Sequence, residues 1–146
     1  MHKMTAEHLA EYVRMNRALD WEWMPEEGDL TDKGVITDIR YPEGTVKYGT
    51  IAVADSHYME RQEDLIHLPR LDQLIRMLPE GWRWVNLGHQ VRHLMSPAWA
   101  TTIQKRFETG TWGSIYRLYG PFPESAALQA VEFAKTGREW KDGRWD

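Results

Sequence analysis

Between residues 69 and 78 the apolar positions Leu71, Leu74, Ile75 and Leu78 recur at intervals of three and four, the spacing that lines one side of a helix. Pro69 suits the first helical position, and Pro79 with Gly81 stops the run, so the spacing predicts a helix over 69–78. A second helix is expected over 6–20. Leu9, Val13 and Leu19, with Tyr12 and Met15, give its stripe, Thr5 can cap it, and Glu7 suits its positive N-terminal end. A third follows Pro121 and Pro123 over roughly 124–136. Ala127, Leu128, Val131 and Ala134 make its buried face, and Gly137 ends it.

The segments between these helices alternate instead. Residues 34–41 (GVITDIRY) are β-branched and alternating, Pro42-Glu43-Gly44 marks a turn, and 45–54 (TVKYGTIAVA) read as the hairpin partner. Residues 82–94 read as a strand or hairpin with Gly88 at a turn or bulge. Residues 98–107 and 112–119 read as two further strands around Thr109-Gly110. Residues 55–67 (DSHYMERQEDLIH) are polar and longer than most tight connections, which marks a functional candidate. Strands joined by short turns predict an α+β fold: a mainly antiparallel sheet of about five strands with helices packed on it. Helices on both faces would make it an α/β/α sandwich. The length fits a single domain over 1–146, with a charged tail at about 138–146 that lies on the surface or docks through its tryptophans.

Composition narrows the function classes. No run approaches about eighteen apolar residues, and the N-terminus is charged where a signal peptide needs an apolar block, so a cytoplasmic protein without a membrane partner is expected. The chain has no cysteine, which removes disulfides and thiolate chemistry. A net charge of −4 disfavours duplex nucleic acid. That charge is unevenly spread. Residues 1–80 hold nine Lys/Arg against sixteen Asp/Glu, whereas residues 81–123 hold Arg83, Arg92, Lys105, Arg106 and Arg117 against Glu108 alone. The basic segment could hold a small anion or pair with the acidic first half.

Tryptophan is the outlier, with eight residues and two Trp-x-Trp pairs, Trp21/Trp23 and Trp82/Trp84. On a strand Trp82 and Trp84 share a side. They can form the core, a stacking surface for a planar ligand, or a subunit interface. Arg83 and Arg92 could add cation–π contact or grip phosphate oxygens. His89 and His93 sit four apart, and Asp55, His57 and His67 could complete a metal set. The pattern lacks HExxH and cysteine ligands, so His57, His89 and His93 are weak candidates. Asp55-Ser56-His57 resembles no nucleophile elbow, and there is no P-loop and no GxGxxG, so no catalytic residue and no cofactor is assigned. Gly110 and Gly113 around Trp112 could bring N–H groups close to an anion, or simply form a hairpin turn.

Residues 68–78 (LPRLDQLIRML), followed by Trp82, by 123–135 (PESAALQAVEFAK) and by the tail KDGRW, resemble uncharacterised small proteins of bacteriophages and prophages, of the kind called a phage ABA sandwich. The resemblance covers roughly the second half of the chain. It implies a phage accessory protein in the host cytoplasm, a group that includes proteins sequestering the nucleotide signals of bacterial defence. The leading expectation is a non-enzymatic, homo-oligomeric binding protein for a small anionic, nucleotide-like ligand. Trp82, Trp84 or Trp112 would stack on it, and Arg83, Arg92, Arg106 and Arg117 would hold its phosphates. The alternatives are a phosphate-ester hydrolase using the histidines, and a protein–protein inhibitor presenting tryptophan hot spots.

Overall fold

The computed structural model describes residues 4–41, 43, 49–54, 59–93 and 96–146, with the side chains of 88–93 and 96–98 excepted. In chain order the elements are α1 (Ala6–Arg17), β1 (Leu30–Thr31), β2 (Gly34–Arg40), β3 (Thr50–Val53), β4 (Met59–Arg61), a single 3-10 turn (Gln62–Asp64), α2 (Leu71–Met77), β5 (Trp82–His93), β6 (Ser96–Arg106), β7 (Trp112–Gly120), α3 (Pro123–Thr136), β8 (Trp140–Lys141) and β9 (Arg144–Trp145). All strand pairs are antiparallel, so the class is α+β. The strands make three sheets, ordered β1-β2-β3-β4, β5-β6-β7 and β8-β9, in place of one sheet of about five. None of the helices among the described residues is long and apolar enough to cross a membrane.

The chain divides into two compact units, one of residues 11–69 and one of residues up to 10 together with 70–146. In the 11–69 unit Ile36, Ile51, Val53 and Leu65 form the core, with Trp23 and Ile39 against it. Trp23 lies flat on His67, their ring centroids 4.6 Å apart, and its indole N–H donates to the buried Asp29 carboxylate at 3.1 Å. The buried Tyr12 of α1 donates its hydroxyl proton to the Pro69 carbonyl at 2.6 Å. Pro69 does not take the first helical position. It precedes α2, whose N-cap is Arg70, and the Gln73 side chain reaches back to the Arg70 N–H at 2.9 Å. In this unit two short strands fall outside the segments expected from sequence: β1, turned back by Asp32-Lys33, and β4, within the stretch expected to be loop. The expected turn at 42–44 and the first half of its partner strand lie largely outside the described residues.

The second unit carries the β5-β6-β7 sheet, with α2 and α3 in contact and α3 packed on all three strands. Thr5 caps α1, its hydroxyl accepting from the His8 N–H at 3.1 Å, and the His8 ring stacks on the buried Phe122 just ahead of α3. Pro123 opens α3 and Gly137, at φ 79°, closes it with its N–H on the Phe133 carbonyl. The expected four-residue stripe understates its burial. Every residue from Ser125 to Glu132 is buried, polar Gln129 and Glu132 included. Both have partners, as buried polar groups require: Gln129 donates to the Tyr119 carbonyl at 2.6 Å, and Arg138 meets the Glu132 carboxylate at 2.5 Å. Ahead of α3, β7 approaches so closely at Gly120 that a Cβ there would lie 2.8 Å from the Ala126 nitrogen.

The tail is a hairpin. Asp142 and Gly143 take φ of 53° and 77°, the paired left-handed conformation of a tight Asp-Gly turn. Glu139 and Asp146 exchange both backbone hydrogen bonds. Trp140 and Trp145 therefore fall at the non-hydrogen-bonded position, where opposite side chains come closest, and their rings meet edge to face at 5.2 Å.

Candidate functional site

Side chains alternate across a strand, so each strand of β5-β6-β7 offers one set to α2 and α3 and the other set to the opposite face. Ile103 and Leu118 lie on the helix side and form a core cluster with Ala130 of α3. Trp82 and Trp84 share that side and pack against the cluster. Trp82 lies 5.6 Å from the Tyr116 ring and meets Phe133 edge-on at 6.3 Å, with the Lys105 ammonium 5.8 Å over its indole. The Trp84 indole N–H donates to the Ile75 carbonyl of α2 at 2.9 Å. Both rings are half-buried against the cluster.

Arg83, one residue from either indole, projects to the opposite face. Its guanidinium sits 4.1 Å over the Trp112 ring, within cation–π range. Its Nε and one terminal nitrogen both donate to Gln104 Oε1, at 3.1 and 2.7 Å. Gln104 in turn donates to the Gly113 carbonyl at 2.8 Å. One residue from each strand thus locks a flat cation onto a flat ring. Two side chains that would otherwise sample many rotamers are held ready, which lowers the entropy a ligand must offset on binding.

Trp112 reaches this face through an irregularity. Gln104 pairs with Ile115 and Arg106 with Trp112, so β7 carries one residue more than β6 across that interval. A bulge of this kind changes which side a residue faces. Arg106 pairs with Trp112 there, and its backbone N–H donates to the Gly81 carbonyl at 2.7 Å. Further along β7, Ile115, Arg117 and Tyr119 alternate outward while Leu118 is buried. Ile115 is 58% exposed and Tyr119 43%, on a sheet whose other side is a packed core. None of the three strands carries an Asp or Glu. The charged side chains that these strands give to the open side are therefore arginines, although the chain as a whole is acidic.

Of the seven expected ligand residues, the structure brings Arg83, Arg106, Trp112 and Arg117 to one face and turns Trp82 and Trp84 to the other. The Arg92 side chain lies outside the described residues, as do those of His89 and His93, and so does His57 with Asp55. Among the described residues, no three His, Asp or Glu come together as metal ligands. His67 is stacked on Trp23 in the other unit. Gly110 serves the 107–111 turn at φ 90°, its N–H on the Phe107 carbonyl, which is the simpler of its two expected roles. Gln104, Ile115 and Tyr119 were not anticipated. The last two were accessible, because they share Arg117's side by simple alternation.

Two acid–base features lie away from this face. Arg70 holds the Asp72 carboxyl at the start of α2 below the usual carboxylate range through a 3.2 Å hydrogen bond. The Glu60 carboxylate holds the Lys33 ammonium above its ordinary value through a 3.1 Å contact. Both pairs are surface links within single units. No family model, curated protein or solved structure matches this chain.

Proposed function

We propose that this protein is a non-enzymatic binding module that holds an anionic, ring-bearing ligand of nucleotide type on the open face of the β5-β6-β7 sheet. The observation that carries this reading is the Arg83–Trp112 stack, fixed by Gln104 on an exposed surface. A planar base can stack on the guanidinium plane or on the indole, a contact that contributes on the order of 1–3 kcal/mol per base. The terminal nitrogen of Arg83 outside the Gln104 contact, with Arg106 and Arg117, supplies donors for phosphate oxygens. The expected roles of Trp82 and Trp84 pass to the core, and Trp112 takes the stacking role. The resemblance to phage proteins adds a setting in which such a module withdraws a nucleotide signal from a bacterial defence system, with copies of the chain associating.

Native mass spectrometry of the purified chain, with and without added nucleotides, reports retained ligand and oligomeric state together. Calorimetric titration then compares the parent with Arg83→Ala and Trp112→Ala. The reading expects at least tenfold weaker binding in each variant with an unchanged melting curve. It fails if no nucleotide of any length binds, or if Trp112→Ala binds like the parent.

A further inference from the structure

The open face is long in one direction. Trp112 and Tyr119 stand at the two ends of β7, with Ile115 and Arg117 between them on the same side. Six residues lie between the two rings, a span of roughly 20 Å at about 3.3 Å per residue with the bulge allowed for. A single nucleotide cannot reach both ends. A nucleotide stacked on its neighbours advances only about 3.4 Å, and one whose base is splayed onto a protein ring advances further, so the span between the rings takes at most about six steps of a single strand. Arg117 lies between the two rings on β7, the Arg83 guanidinium reaches across from β5 to the Trp112 end, and the three strands carry no carboxylate. Rings and guanidiniums spaced along one strip match what single-stranded nucleic acid needs: base faces on rings and phosphates on guanidiniums.

From this we infer that the ligand is a single strand of nucleic acid of at least about four nucleotides, the lower end of the site sizes of open β platforms, lying along β7 from Trp112 to Tyr119. The inference rests on the binding-module reading and adds length and direction to it. A duplex is disfavoured, since its paired bases have no free faces to stack on Trp112 and Tyr119.

The test is calorimetric titration of the full chain with thymidine mono-, di-, tetra- and octanucleotides, uridine tetramers, and an abasic tetramer of equal phosphate count. Affinity should rise at least tenfold from the mononucleotide to the tetramer of either sugar and then level off per site. Tyr119→Ala should reduce the tetramer to the dinucleotide's affinity and leave the mononucleotide unchanged, whereas Trp112→Ala should weaken both. Arg117→Ala should lower the salt slope of tetramer binding by about 0.7, the value for one single-strand phosphate contact. Equal affinity for mononucleotide and tetramer overturns the inference while leaving the binding-module reading standing. So does an abasic tetramer that binds as tightly as the intact one. Absence of binding at every length removes both.

Discussion

Trp82 and Trp112 are partly exposed indoles of one small sheet, each with a cation over its ring, yet they belong to different worlds. Trp82 meets Tyr116 and Phe133 on the side that α3 covers. Trp112 carries the Arg83 guanidinium over its ring and sits on the side opposite the helices. The helix face gains free energy from removing apolar area from water, so its losses should register as stability. The open face is organised by directional contacts among exposed groups, which contribute little to folding and should register as binding. Tryptophan content alone does not separate the two; the partner atoms around each ring do.

That contrast can be broken most forcefully on the helix side. Trp84→Ala removes a ring packed on the core cluster and its hydrogen bond to Ile75, and should cost about 3 kcal/mol, read as a lower urea midpoint at constant slope. A loss under about 0.5 kcal/mol would put Trp84 in the same class as Trp112. Gly120→Ala comes next. Its new Cβ meets the start of α3, and the strain should cost about 1–3 kcal/mol by the same measurement. An unchanged midpoint would show that β7 and α3 are not pressed together. Trp112→Ala should leave stability within about 0.5 kcal/mol while costing the tenfold or more in nucleotide affinity described above. A variant that unfolds would move this ring to the core side of the comparison.

The smallest expected effect is at Asp72. Its carboxyl is depressed in the folded chain by Arg70, so its contribution is present above the unfolded carboxylate value and is lost as pH falls through the lower folded one. More than half of the Asp72 side chain is exposed, so the pair contributes about 0.5 kcal/mol or less. Asp72→Asn should therefore lower the melting temperature slightly at pH 7 and leave it unchanged at pH 2. An equal loss at both pH values would assign the effect to packing or helix capping instead.

Alternation and helical spacing located nearly every long element. The limits of α3 were legible because Pro123 and Gly137 punctuate it, and β7 because Thr109-Gly110 precedes it. What alternation could not show was which side faces the helices. Trp82-Arg83-Trp84 divides two ways under that rule, and only the packing of α2 and α3 decides which set is core. The side occupied by Trp112 was harder to foresee. By parity it opposes Ile115, Arg117 and Tyr119, and the register shift against Gln104 and Arg106 reverses that. A shift of this kind depends on the partner strand, which a local pattern does not contain. The grouping of strands into sheets was equally hidden, since β1 and β4 are two and three residues long and too short to show a period.

The tail hairpin carries a consequence of another sort. Two indoles held edge to face at fixed separation couple their electronic transitions, and the coupling vanishes when the Asp142-Gly143 turn opens. The chain therefore carries its own optical gauge near its C-terminus. The paired bands in circular dichroism should fade when Gly143 is replaced by a β-branched residue. Heating would then show whether those last residues melt with the remainder or ahead of it.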